Sequence, residues 1–225
     1  MLKLYFHPLA SFCWKALVAL YENDTPFEPL IVNLGDADSR ATFTRVWPLA
    51  KFPVLRDEAR GQTVAESTVV IEYLDAFHSG ATRFIPAEPD AAWQTRMWDR
   101  VFDNYIHEPM QKLVADHMRP ADKKDGLGVK QAEALIRQAY ALVDQHIGGG
   151  PWAMGDSFTL VDCAASPALS YATTLVPLDR SQRNLAAYLD RLIARPSFAR
   201  VLREAEPYFK FYPVETKPRT RPSGG

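Results

Sequence analysis

A serine and a cysteine lie two residues apart at the start of a helix-like segment near the N-terminus. Ser11 and Cys13 stand where a turn becomes a helix. The first backbone N–H groups of a helix have no partner within it, and the helix dipole adds partial positive charge, so an anion is favoured there. The same site lowers the pKa of a thiol, and a hydroxyl beside it can donate a charge-assisted hydrogen bond to a thiolate.

Each of these residues also has a structural interpretation. A serine before a helix is most often an N-cap, and Cys13 shares an apolar helix face with Leu17, where a lone cysteine is more often an inert core residue. A dithiol redox site needs Cys-x-x-Cys, and Ala10 stands in its first position. The sequence therefore disfavours a dithiol oxidoreductase and leaves the hydroxyl and the single thiol open.

Two further patterns can bind a peptide-like ligand. If the Phe52-Pro53 bond is cis, the backbone of Phe52 turns outward and can pair with an extended peptide. Glu66 and Ser67 stand at a helix start, where backbone N–H groups can hold a carboxylate and Glu66 can accept from an ammonium group. Taken alone, the first pattern can also be the start of an edge strand, and the second an ordinary cap formed by Ser67.

The elements that must position these residues change from mixed to all-helical near residue 80. In the first third, the spacing of apolar residues predicts a strand at 2–6, a helix at 11–21 and a strand at 27–34. After a connector, it predicts two strands at 52–57 and 62–66 and a helix at 67–77. The later periodicities are helical only. We expect an α/β plus all-α fold, with a small domain at 1–80, a helical domain at 90–206 and a C-terminal tail at 207–225.

Composition and charge exclude several classes of function. With 26 basic and 27 acidic side chains the chain has no basic excess to bind nucleic acid. No apolar run reaches the roughly 18 residues of a membrane span. Two cysteines are too few for a disulfide framework, and we expect a reducing, cytoplasmic setting. The five histidines lack clustered ligand spacing, so no metal is expected.

The combination of these patterns resembles the soluble glutathione transferase superfamily over nearly the whole chain. The resemblance is carried by the serine-bearing turn, the "PVL…ES" pairing, and "GDSFTLVDCA" at 155–164, which is similar to the family's buried capping box with Thr159 as N-cap and Asp162 three residues later. The closing "RPSFARVLREA" is also similar to the family's last helices.

This resemblance implies a thioredoxin-like N-terminal domain (βαβ-ββα) that binds glutathione as co-substrate, followed by a helical bundle. Phe52, next to Pro53, would pair with the cysteinyl part, Glu66 and Ser67 would hold the γ-glutamyl end, and Lys51 would reach the glycine carboxylate. Phe12 would also contact glutathione.

The helical domain would then supply a pocket for a small hydrophobic electrophile. Its candidate residues are Trp14, Tyr105, His107 and Met110, and the aromatic segment 207–213 could fold over the cleft. Members of the family are commonly homodimers, and we expect a homodimer here.

The chain departs from the family pattern at one position. The turn is similar to that of serine-type, somewhat zeta-like bacterial members, but their thiolate-activating serine aligns with Ala10. Ser11 is the nearest donor and Cys13 the next candidate, while Tyr5 occupies the position used by tyrosine-type members.

Three functions stay open. The first is a transferase that adds the glutathione thiolate to an electrophile. The second is a glutathione-dependent isomerase or disulfide-bond reductase, since "SFCWK" is similar to the "SCSWR" of isomerase-like members. The third is a non-catalytic binding protein, suggested by Ala10.

Overall fold

The computed structural model describes residues 1–148 and 150–223. Gly149, Gly224 and Gly225 lie outside this part. The glycine run 148–150 predicts a helix end, and its middle residue therefore lies outside the described residues, as do the last two residues of the predicted tail.

A four-stranded mixed sheet with three helices forms the N-terminal part of the chain. The strand order is β2-β1-β3-β4; β1 pairs parallel to β2 and antiparallel to β3, and β3 pairs antiparallel to β4. The elements are β1 (Leu2–Phe6), α1 (Ser11–Glu22), β2 (Phe27–Ile31), α2 (Ala37–Val46), β3 (Val54–Asp57), β4 (Gln62–Ala65) and α3 (Ser67–Phe77). The second strand is shorter than the predicted range 27–34, because it pairs only with β1, whose five residues end at Phe6 opposite Ile31.

The rest of the described chain is helical. Its elements are α4 (Pro89–Phe102), a π-helical segment (Asp103–His107), α5 (Glu108–His117), α6 (Gly126–Ile147), α7 (Leu160–Leu175), α8 (Arg183–Ala194) and α9 (Pro196–Ala205), with short 3₁₀ turns at Ala121–Lys123 and Glu206–Phe211. The thioredoxin-like domain followed by a helical domain confirms the predicted fold class.

Helix α1 is buried on nearly all sides because it packs between the sheet and the helical domain. It contacts α3 on one side and α7 and α9 on the other. Every residue from Trp14 through Leu20 is therefore buried, and all of them except Lys15 are apolar. Only its first turn opens onto a cleft, which fixes the position of Ser11.

The π-helical segment carries α4 into α5 across Pro109. Proline has no N–H to donate to the carbonyl of Tyr105, and its ring crowds that carbonyl. The wider turn from Asp103 to His107 precedes the proline, so the chain continues as α5 instead of ending. This segment turns both Asp103 and His107 inward.

The predicted capping box at the start of α7 is confirmed. The Asp162 carboxylate accepts from the backbone N–H of Thr159 at 2.8 Å, and the Thr159 side chain caps the first turn. Asp162 also accepts from the backbone of Ala153 and from the Tyr188 hydroxyl, so the buried carboxylate joins three segments. Among the described residues, no helix is long and apolar enough to cross a membrane.

Candidate active site

A cleft of about 1020 Å³ lies between the first turn of α1 and the helical domain. One wall is formed by residues 9–12, the loop before β3 and the turn from β4 into α3. The other is formed by α4, the π-helical segment, α5 and Tyr212 with Pro213 of the C-terminal tail. Of the predicted site residues, the cleft brings together Ser11, Phe12, Lys51, Phe52, Pro53, Glu66, Ser67 and Met110.

Ser11 is the first residue of α1 and lies at the wall of the cleft. Its interpretation as an N-cap is wrong: Ala10 is the N-cap, and no side chain caps this helix. The Ser11 hydroxyl lies 2.5 Å from Nε2 of His107 instead, and the residue is only 8% exposed. The first turn of α1 therefore presents its backbone N–H groups and one hydroxyl to the cleft.

Cys13 is fully buried on the opposite side of α1. Burial raises the pKa of its thiol well above the ordinary value, which keeps the thiol protonated. The predicted catalytic position of Cys13 is therefore corrected: the turn of the helix directs it into the core, away from the cleft that Ser11 lines.

Trp14 is also a core residue and not the pocket residue that we predicted. Its indole Nε1 donates to the carbonyl of Pro8 at 2.6 Å, and its ring packs on Tyr171. The Tyr171 hydroxyl in turn donates to the carbonyl of Leu9 at 2.9 Å. Two buried donors thus fix the loop between β1 and α1, which positions Ser11.

His107 lies behind Ser11 instead of lining the cleft as predicted. It is fully buried, and its ring stacks on Phe12 with the centroids 3.8 Å apart. Burial, with the charge of Lys15, lowers the pKa of His107 to about 3, so the imidazole is neutral at neutral pH. Tyr105, 47% exposed, lies away from the cleft on the outer face of the segment.

The loop before β3 lines the cleft with Lys51, Phe52 and Pro53. The Phe52-Pro53 peptide bond is cis, as the sequence pattern suggested. The Phe52 ring stacks on His7 with the centroids 6.0 Å apart, and Lys51 is exposed at the rim.

Glu66 and Ser67 form the second helix start at the cleft. Glu66 is the N-cap of α3 at φ 67°, a conformation that is uncommon for a residue with a side chain. Its exposed side chain makes no capping hydrogen bond, and Ser67 follows as the first, buried residue of the helix, so Ser67 is not the cap that one interpretation of the sequence suggested.

A charged cluster that the sequence did not reveal lies beside these residues. The fully buried Lys15 ammonium lies 2.5 Å from an Asp99 carboxylate oxygen and 2.7 Å from Asp103. Thr68 accepts from Lys15 and donates to Asp99, and Arg100 pairs with both carboxylates. Only the lysine in an otherwise apolar helix and the i, i+4 aspartates hinted at this cluster.

Several residues of the cleft lining are apolar or aromatic, and we call this group the apolar end of the cleft. The residues here are Leu9, Phe12, Met110, Val114, Met118, Tyr171, Tyr212 and Pro213. Both tyrosine hydroxyls are occupied, Tyr171 by Leu9 and Tyr212 by Thr174 at 3.1 Å. This end can therefore accept a hydrophobic molecule but offers no free phenol as a proton donor.

Two family models match this chain. Residues 4–82 match the N-terminal domain of glutathione S-transferase, and residues 111–202 match its C-terminal domain. The chain belongs to the glutathione transferase superfamily.

Relatives in this superfamily are distant. A glutathione S-transferase F13 from Arabidopsis thaliana is 25% identical over 211 residues, covering 89% of this chain and 94% of the relative. A probable maleylacetoacetate isomerase from Caenorhabditis elegans is 26% identical over 183 residues, covering 79% and 81%.

Solved structures of glutathione transferases share the fold. A glutathione S-transferase from Methylobacterium radiotolerans, in complex with glutathione sulfonate, is 29% identical with a TM-score of 0.78, over 89% of this chain and 93% of that one. One from Methylobacillus flagellatus, with GSH bound, has a TM-score of 0.81 at 24% identity, covering 89% and 98%.

Within residues 1–148 and 150–223, no cluster of His, Cys, Asp and Glu side chains has the arrangement to hold a metal ion. Among the groups that this cleft offers are the N-termini of α1 and α3, the hydroxyls of Ser11 and Ser67, the exposed side chains of Glu66 and Lys51, and an apolar end.

Proposed function

We propose that the protein is a glutathione transferase, which binds glutathione in the cleft and adds its thiolate to a small hydrophobic electrophile. The observation that carries this proposal is that two helix starts without a side-chain cap, those of α1 and α3, open onto one cleft. Each offers backbone N–H groups to an anion. Glutathione has two such anions, the thiolate and the γ-glutamyl carboxylate.

The γ-glutamyl end is assigned to the start of α3. Its carboxylate would accept from the backbone N–H groups of the first turn and from the Ser67 hydroxyl, while its ammonium group would meet the exposed Glu66 carboxylate. The uncommon conformation of Glu66 supports this assignment, since such conformations cluster at ligand clamps.

The rest of the tripeptide follows the loop before β3. The backbone of Phe52, next to Pro53, would pair with the cysteinyl part as an additional strand does. Lys51, exposed at the rim, would meet the glycine carboxylate, and Phe12 would contact the sulfur end beside Ser11.

Ser11 is assigned as the group that stabilises the thiolate. Its hydroxyl and the N-terminal N–H groups of α1 would act together on the sulfur, which raises the thiolate population at neutral pH. The apolar end of the cleft, with Met110 and Tyr212, would hold the electrophile against the sulfur, so that rate also comes from positioning.

A glutathione-dependent isomerase is the second candidate, favoured by the likeness to the probable maleylacetoacetate isomerase. It would use the same thiolate and cleft. Burial of Cys13 counts against a disulfide-bond reductase, and the intact pair of Glu66 and Ser67 counts against a non-catalytic protein.

We also propose a cytoplasmic homodimer. Four apolar side chains on α3 and α4 are 44 to 53% exposed, namely Val69, Phe77, Trp93 and Met97, and a second copy would cover them. The two cysteines are free, which suits a reducing compartment.

The test is glutathione conjugation to an activated aryl halide, measured for the wild type, Ser11→Ala and Cys13→Ala. We expect Ser11→Ala to lower the rate at neutral pH by about tenfold, the worth of one charge-assisted hydrogen bond, and Cys13→Ala to keep it. Conjugation at the uncatalysed rate by the wild type, together with conversion of a cis-dienoic acid, would favour the isomerase.

A further inference from the structure

The hydroxyl of Ser11 and the imidazole of His107 form a hydrogen-bonded pair between the two domains. They are 96 positions apart in the chain, and Nε2 lies 2.5 Å from Oγ. We propose that His107 is a positioning residue, whose Nε2–H donates to Ser11 Oγ and thereby directs the single hydroxyl proton of Ser11 into the cleft, toward the bound thiolate. This inference rests on the proposed function.

The geometry favours Nε2 as the ring nitrogen that holds the proton. A neutral imidazole has one N–H. Nε2 has a partner in Ser11, whereas the Asp103 carboxylate is 4.0 Å from Nδ1, which is too long for a hydrogen bond. A proton on Nδ1 would be a buried donor without an acceptor, whereas a proton on Nε2 has Ser11 Oγ as its acceptor and leaves Nδ1 as a buried acceptor without a donor.

The charges around His107 support the same assignment. Asp103, on the same segment, is already bound to Lys15 of α1 and to Arg100 of α4. Both cations contact Oδ2, whereas Oδ1, the oxygen nearest Nδ1, has no hydrogen-bond partner. The two cations offset the negative charge of the carboxylate, and Oδ1 lies too far from Nδ1 to accept its proton. The Lys15 charge also disfavours the imidazolium form, so His107 acts as a neutral donor and not as the base that takes the thiol proton.

The position of the ring is fixed by two neighbours. The π-helical segment turns His107 inward, and Phe12, the residue after Ser11, stacks on the imidazole at an interplanar angle of 14°. With Nε2 donating, Ser11 Oγ accepts on its buried side. Its own O–H is then left for the cleft that Ser11 lines.

The experiment compares His107→Phe, which keeps a flat ring against Phe12 but removes the donor, with His107→Gln, which offers an amide donor. The readouts are the pH dependence of the ultraviolet absorbance of the bound thiolate, and kcat and KM. For His107→Phe we expect a raised pKa of the bound thiol, a kcat lower by about tenfold at neutral pH and an unchanged KM for glutathione. His107→Gln should recover most of kcat.

Two results would overturn the inference while leaving the proposed function intact. The first is that the pKa of the bound thiol in His107→Phe equals that of the wild type, although Ser11→Ala raises this pKa. The other is nitrogen-15 NMR of the wild-type complex with glutathione showing the proton on Nδ1, a measurement that does not depend on a variant folding. Failure of the wild type to bind glutathione would instead overturn the proposed function.

Discussion

The N-termini of α7 and α1 differ in where their first backbone N–H groups find partners. At α7, Thr159 and Asp162 close the helix start within the core, and the carboxylate is satisfied by further donors. At α1, the N-cap is Ala10, and the first turn opens onto the cleft. The start of α3, with Glu66, resembles α1 in this respect. A helix start that its own side chains satisfy serves the fold, whereas an open one that lines a cleft is available to a ligand.

The largest expected effect is a loss of stability at the start of α7, which its own side chains close. Asp162→Ala removes the acceptor of Thr159, Ala153 and Tyr188, and leaves buried donors without partners. We predict a loss on the order of 4 kcal/mol in the free energy of unfolding, measured by urea denaturation. Asp36→Ala is the matched control, because Asp36 caps α2 at the surface and its loss should cost only about 1 kcal/mol. Equal losses would mean that burial of the cap does not matter.

At the open start of α3, we expect a substitution to weaken ligand binding and to leave stability nearly unchanged. Ser67→Ala removes a hydroxyl that we assign to the γ-glutamyl carboxylate, so affinity for glutathione should fall by about tenfold, measured by calorimetry. The free energy of unfolding should change by less than about 0.5 kcal/mol, because Ser67 is not the cap. A large loss of stability with unchanged affinity for glutathione would show that the start of α3 serves the fold and does not bind the ligand.

The pair behind the open start of α1 should appear in the acid dependence of stability. The pKa of His107 is lowered from 6.5 to about 3 on folding. Between these pH values the unfolded chain binds a proton that the folded chain does not, so stability falls as the pH is lowered. His107→Gln should remove up to about 1.4 kcal/mol per pH unit from this slope. Equal slopes in the wild type and His107→Gln would show that His107 protonates freely when folded.

The smallest effect is expected at Cys13, on the closed side of α1. Its buried thiol should not react with a maleimide in the native protein and should react once the protein is unfolded in urea. Mass spectrometry measures both. Rapid native labelling of Cys13 would place the thiol at the cleft and return it to the catalytic candidates.

Local patterns made the fold predictable from the sequence. The hairpin before α3 and the capping box of α7 each depend on residues a few positions apart, and Thr159 and Asp162 are separated by one helical turn. The change to an all-helical chain after residue 80 could likewise be predicted, because the spacing of apolar residues changes to the helical repeat there.

The candidate site was less predictable, because its parts come from distant positions. Nothing in the sequence around Ser11 indicates that His107 will lie behind it, or that Lys15 will meet Asp99 and Asp103 across the domain boundary. Trp14 was predicted in the pocket because it lies near the first turn of α1. A helix buried on both sides has no polar face that would tell from the sequence which residues face the cleft and which the core.

A crystal structure of the protein with glutathione tests the central claim most directly. We predict that the γ-glutamyl carboxylate lies at the start of α3, against Ser67, and that the sulfur lies within hydrogen-bond distance of Ser11 Oγ. A sulfur that lies beyond the reach of Ser11, or glutathione bound outside the cleft, would contradict the account.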